Sequence, residues 1–86
     1  MADLIITLNT TATVIDVVLD GKKSALGPHG TIKVPCASGA HHVSWAFGGG
    51  TPNSPFTLDF SGVYVHKVNG VLDANGNYNG LTFQVA

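Results

Sequence analysis

The sequence contains no arginine and no glutamate, and its 86 residues carry only four lysines, five aspartates and one cysteine. Each shortage narrows what the chain can be. The lysines stand scattered at Lys22, Lys23, Lys33 and Lys67 in a chain of formal net charge −1. They make no basic stripe to track a phosphate backbone, so nucleic acid is not an expected partner. A lone Cys36 has no partner for a disulfide within the chain, and one unpaired thiol fits a reducing compartment. The opening residues Met1 to Thr7 have no basic n-region and no apolar run beyond Leu4-Ile5-Ile6. Neither a signal peptide nor a membrane span is read there, and the expected location is cytoplasmic.

What the chain does have is apolar bulk, with 44% hydrophobic residues and 11 glycines. So apolar a sequence should fold, as one domain over residues 1–86, and it has little surface charge to keep its copies apart. A domain of this size buries only about 60–65% of the surface its unfolded chain exposes. With disulfides ruled out, oligomerisation is the expected supplement to the core.

Helix formers are also scarce where they would be needed. The apolar residues alternate at period two, and Gly, Asn, Thr and Val dominate, so the chain reads as all-β. Leu4, Ile6 and Leu8 give a first strand, and the nearly continuous Val14 to Leu19 suits a strand covered on both faces. Asp20-Gly21 tolerates positive φ twice and predicts a tight hairpin into Lys22 to Leu26. Gly27-Pro28-His29-Gly30 is a loop, and Thr31 to Val34 is a short strand stopped by Pro35. His41, Val43, Trp45 and Phe47 share the inward face of the next strand, with His42, Ser44 and Ala46 outward. Phe56, Leu58 and Phe60 form another inward set, and Val63 to Val68 is the strand after Ser61-Gly62.

Two Asn-Gly pairs compete for the final hairpin. With Asn75-Gly76 as the loop, Val68 faces Phe83 and Leu72 faces Asn79, which keeps Val68, Leu72, Leu81, Phe83 and Val85 on one face. Asn69-Gly70 then marks a bulge or bend. The total is roughly seven to nine short antiparallel strands, the pattern of a small β-sandwich or barrel.

Ile15-Asp16-Val17-Val18-Leu19-Asp20-Gly21-Lys22-Lys23, then Gly27-Pro28, Ile32-Lys33-Val34-Pro35 and Ser38-Gly39-Ala40-His41-His42-Val43-Ser44-Trp45 together resemble a PEGA-type domain. The shared features are an apolar strand into Asp-Gly-Lys, a Gly/Pro loop, a short strand, and Gly-x-His before another apolar strand. The resemblance spans residues 14–47. It implies a small Ig-like sandwich used for adhesion or interaction without catalysis.

The residues that carry chemistry are few. His41 and His42 point to opposite faces of a strand and cannot chelate one ion together, so no metal site and no cofactor is expected. Cys36 has no helix N-terminus to lower its pKa and reads as an inert thiol. No serine sits in a nucleophile elbow, and no pair among Asp3, Asp16, Asp20, Asp59 and Asp73 has a spacing that forces proximity. Asp73 to Gly80 half matches a calcium loop, yet Tyr78 and Gln84 stand where that loop needs glycine and glutamate. An enzyme is therefore not expected.

Two readings remain. The first is a non-catalytic interaction module that forms a homo-oligomer through edge strands or an apolar sheet face. Ile5, Val14, Val18, Tyr64 and Val71 fall opposite the inward sets and would make such a face, to be covered by another subunit or by neighbouring strands. The alternative is a small lectin, with a glycan rather than a protein as ligand, held by Tyr64, Tyr78, Asn75, Asn77 and His42.

Overall fold

A computed structural model describes residues 2–86. Eight strands run as β1 (Asp3–Asn9), β2 (Val14–Leu19), β3 (Lys22–Ser24), β4 (Thr31–Pro35), β5 (Gly39–Gly48), β6 (Pro55–Gly62), β7 (His66–Val71) and β8 (Asn77–Val85). They form two antiparallel sheets, in the orders β4-β1-β6-β7 and β3-β2-β5-β8. The sheets are not joined by strand pairing, so the fold is a sandwich with free edges rather than a closed barrel.

Alternation selects the core. Leu4, Ile6 and Leu8 of β1 and Phe56, Leu58 and Phe60 of β6 are buried against Val17 and Leu19 of β2, Val43, Trp45 and Phe47 of β5, and Phe83 and Val85 of β8. Aromatic pairs bridge the layers: the Phe47 and Phe56 rings meet edge to face at 5.0 Å, and Trp45 lies 6.2 Å from Phe60. Burial of these side chains is the main stabilising contribution, about 1.5–3 kcal/mol for each large one.

The β2–β3 hairpin is as predicted. Leu19 pairs with Lys22 across Asp20-Gly21, whose φ angles of 50° and 81° are those of a type I′ turn. The final hairpin is not. β7 pairs with β6 and β8 pairs with β5, so the Asn75-Gly76 turn carries the chain from one sheet to the other. Val68 therefore faces Leu58, not Phe83. The set Val68, Leu72, Leu81, Phe83 and Val85 does point inward, but from both layers. Asn69-Gly70 is neither bulge nor bend; β7 runs straight through it, and Gly70 is there because the Phe56 ring lies over it, where a Cβ would come within 2.7 Å of two ring atoms.

Three further expectations need correction. β2 is central in its sheet but covered on one face only, since Val14 and Asp16 look outward. Asp16 has a plain partner there in Lys23 at 2.7 Å. Residues 63–65 are a connection rather than a strand, because Gly62 at φ 83° turns the chain out of β6. Tyr64, with the same parity as the inward Phe60, packs against the core and so leaves the presumed outer apolar face. The other members divide, with Ile5 and Val71 outside the β1 sheet and Val14 and Val18 outside the β2 sheet. No single apolar second face exists.

Candidate interaction site

The five residues singled out from sequence do not converge. Tyr64 stacks on Phe83 at 4.6 Å and packs against the core. Asn75 donates its backbone N–H to Asp73 Oδ1 in the turn. Asn77 clamps that turn from the other end: its Oδ1 accepts the Asp73 N–H at 2.8 Å and its Nδ2 donates to the Val71 carbonyl at 3.1 Å. These three side chains and backbones are engaged in holding the fold. Tyr78 and His42 share the outer face of the β2 sheet, opposite Ala46 and Thr82 respectively. Four residues of strand, about 13 Å, separate their rows, too far to grip one small ligand together.

That outer face nevertheless has a distinct make-up. Its middle rows are Ser44 opposite Gly80 and Ala46 opposite Tyr78, a floor of small side chains beside a tyrosine that is 80% exposed. Among the described residues its only charged ones are Asp16 and Lys23, which neutralise each other at the far side of the sheet from β8.

The face ends at β8, and there the backbone is open. In an antiparallel ladder each residue turns its N–H and C=O to one side of the strand, and its neighbours turn theirs to the other. His42 accepts the Asp20 N–H at 2.8 Å on its carbonyl and donates its own N–H to Asp20 Oδ1 at 2.9 Å, so it faces β2. Thr82 opposite it is thus in a pair without ladder bonds. Tyr78, Gly80, Thr82 and Gln84 accordingly present their N–H and C=O groups to the free edge. Gly80 agrees: its N–H is taken by the Asn79 side-chain Oδ1 at 2.8 Å.

The other three edges carry guards that β8 lacks. β3 is three residues long and holds Lys22 and Lys23. β4 has Lys33 and Pro35, and the Cys36 N–H bond to Ala2 sets the alternation that turns both outward. β7 has Lys67, and the Asn77 amide caps its Val71 carbonyl. β8 runs nine residues with no charge and no proline.

One polar network was missed in the sequence. His41 donates from Nδ1 to Asp20 Oδ2 at 2.5 Å and from Nε2 to the Ala37 carbonyl at 2.7 Å. The Asp20 bond, then the Ala37 bond, raises the His41 pKa. Asp20 is held below its ordinary value by His41 first and by the His42 N–H second. The available signal was a histidine at an inward position, which needs polar partners. A cleft of about 340 Å³ lined by Leu19, Asp20, Lys22, Val34 and Pro35 lies beside this network, between the β2–β3 hairpin and β4. Cys36 is buried, and burial first, then the Asp20 charge, pushes its thiol pKa up. No three His, Cys, Asp or Glu side chains are placed to hold a metal ion among the described residues, and no helix there is long and apolar enough to cross a membrane. Comparison with known protein families, curated proteins and solved structures finds no match to this chain.

Proposed function

We propose that the protein is a non-catalytic interaction module that assembles with its own copies through β8. The observation that carries this reading is the contrast among the four edges: three are guarded by lysine, proline or shortness, and the longest has none of these, its one capped group being the Gly80 N–H. A strand pairing antiparallel with its own copy makes a two-fold interface, the commonest kind in homo-oligomers. With Leu81 on the axis the whole of β8 overlaps, Gly80 facing the Thr82 of the second copy and Tyr78 facing its Gln84. The bonds offered are then those of Tyr78, Gly80, Thr82 and Gln84, and the two β2 sheets become one. No charge in β8 opposes its copy.

The test is absolute mass in solution by light scattering, for the native chain and for Thr82→Lys combined with Gln84→Lys. Both positions look outward and leave the β5 ladder intact, while four lysines would crowd the paired edge. The native protein is expected to be a dimer and the double variant a folded monomer. A native monomer across all concentrations, or a variant with unchanged mass, would sink the proposal.

A second reading, glycan binding, is favoured by one observation, the exposed Tyr78 ring beside the small residues Ala46 and Gly80. Tyr78→Ala separates the two: loss of glycan binding at unchanged mass supports the lectin, and a loss of mass supports the interface.

A further inference from the structure

We infer that Asn79 is the deamidation site of this chain and that its conversion closes the β8 edge. The second half of this inference rests on the assembly through β8 proposed above.

The chain has three Asn-Gly pairs, at 69–70, 75–76 and 79–80. In such a pair the glycine nitrogen can attack the asparagine side-chain carbonyl carbon, because no Cβ obstructs it, provided that this N–H is not tied to the backbone. The fold treats the three pairs differently. The Gly76 N–H donates to the Asp73 carbonyl at 2.9 Å and closes a turn. Leu72 donates to the Ser54 carbonyl, which fixes the alternation of β7, so Gly70 turns its N–H into the same ladder toward Phe56, whose ring also covers it. Only at Asn79 does the following glycine lie outside every backbone bond. Its N–H faces the free edge, and the exposed Asn79 side chain is already folded over it, with Oδ1 at 2.8 Å from the nitrogen.

The reaction needs only water and base. The Gly80 nitrogen gives up its proton and forms a bond to Asn79 Cγ, the Cγ–Nδ2 bond breaks, and ammonia leaves with the proton. Water then opens the cyclic imide at either carbonyl, giving aspartate or isoaspartate, with no change in oxidation state. Either product puts a carboxylate where the edge had no charge. A carboxylate also holds the Gly80 N–H more strongly than the amide oxygen does, and that N–H is one the second copy's carbonyl needs. Isoaspartate further lengthens the backbone by one methylene and shifts the edge groups out of register.

All three pairs lie in one tryptic peptide, residues 68–86, since Lys67 is the last cleavage point. The folded protein is aged in warm, mildly alkaline buffer, and fragment spectra of that peptide locate the converted residue, with the urea-unfolded chain as control. Conversion is expected several-fold faster at Asn79 than at Asn69 or Asn75 when folded, with the preference lost on unfolding. Faster conversion at either other site would overturn the site assignment whatever the assembly does. Asn79→Asp is then compared with Asn79→Ala by light scattering. The aspartate is expected to shift the dimer to monomer and the alanine to leave it dimeric. If the aspartate variant stays dimeric while the double lysine variant dissociates, the edge reading stands and the closure by Asn79 is wrong. If the native chain is itself monomeric, the closure falls with the edge reading, and the site assignment stands on the peptide result alone.

Discussion

His41 and Asp20 form a strut between the β2–β3 hairpin and the start of β5, with Nδ1 donating to Oδ2 at 2.5 Å. The second ring nitrogen donates to the Ala37 carbonyl, and a carbonyl offers no proton in return. Both bonds together therefore require the imidazolium, and three segments of chain are fastened through one charged ring. Phe83 stacks against that ring at 5.5 Å and limits its rotation.

This pair should give the protein a stability plateau in mildly acid solution. The folded pKa of His41 is raised above the ordinary 6.5, so its contribution is complete below pH 6.5 and is lost as the pH climbs through the raised value. The Asp20 pKa is lowered from the ordinary 3.8, so its contribution is complete above pH 3.8 and is lost as the pH falls through the lowered one. The urea midpoint should thus be highest between about pH 4 and 6.5 and fall on either side. Asp20→Asn keeps a residue that tolerates the left-handed φ of the turn and should remove the neutral limb. A native midpoint as high at pH 8 as at pH 6 would show that the strut contributes nothing.

The turn that holds Asp20 was legible because its hairpin is local: two residues of positive φ between alternating strands leave one arrangement. Asn75-Gly76 offers the same residue types, but only Gly76 takes a positive φ and its N–H closes the turn onto Asp73, and this turn was misread. A turn signal says that the chain reverses, not which strand receives it, and here the receiving strand is β5, remote in sequence. Tyr64 was misread for another reason. Phe60, Tyr64 and Val68 all carry the inward parity and all pack against the core, so alternation alone puts Tyr64 with Phe60, and placing it on the outer face ran against the pattern. The inward sets of β1, β5 and β6 were legible because each lies within one unbroken strand. The open edge at β8 was not, since edges belong to the order of strands in a sheet.

Gly70→Ala should destabilise the fold by about 1–3 kcal/mol, the usual cost of forcing a methyl into a packed core. The new Cβ would lie 2.7 Å from two Phe56 ring atoms, and Phe56 cannot retreat without leaving its edge-to-face contact with Phe47. Urea unfolding measures this. A bulge at Asn69-Gly70 would instead accept alanine at almost no cost.

The two tyrosines should respond in opposite ways. Tyr64→Ala removes a ring stacked on Phe83 and next to Phe60, and should cost roughly 2–4 kcal/mol. Tyr78→Ala removes a ring that is 80% exposed, and the unfolding energy of the single chain should stay within about 0.5 kcal/mol. Comparable losses in both would mean that Tyr78 is covered in solution, as the second copy would cover it, and the loss at Tyr78 should then depend on protein concentration.

Cys36 decides whether an enzymatic reading retains any support. Its side chain is 2% exposed, and burial together with the Asp20 charge keeps it as the neutral thiol. A thiolate is what attacks disulfides, alkylating agents and carbonyl carbons. Labelling by a small alkylating reagent should therefore be slow in the native protein and should accelerate with urea in step with unfolding. His41 already spends both ring nitrogens on Asp20 and Ala37, which leaves neither to stabilise a thiolate. Fast stoichiometric labelling under native conditions would mean that the 36–38 connection opens and that this ring is released, and Cys36 with His41 would then have to be weighed as a nucleophile and its base.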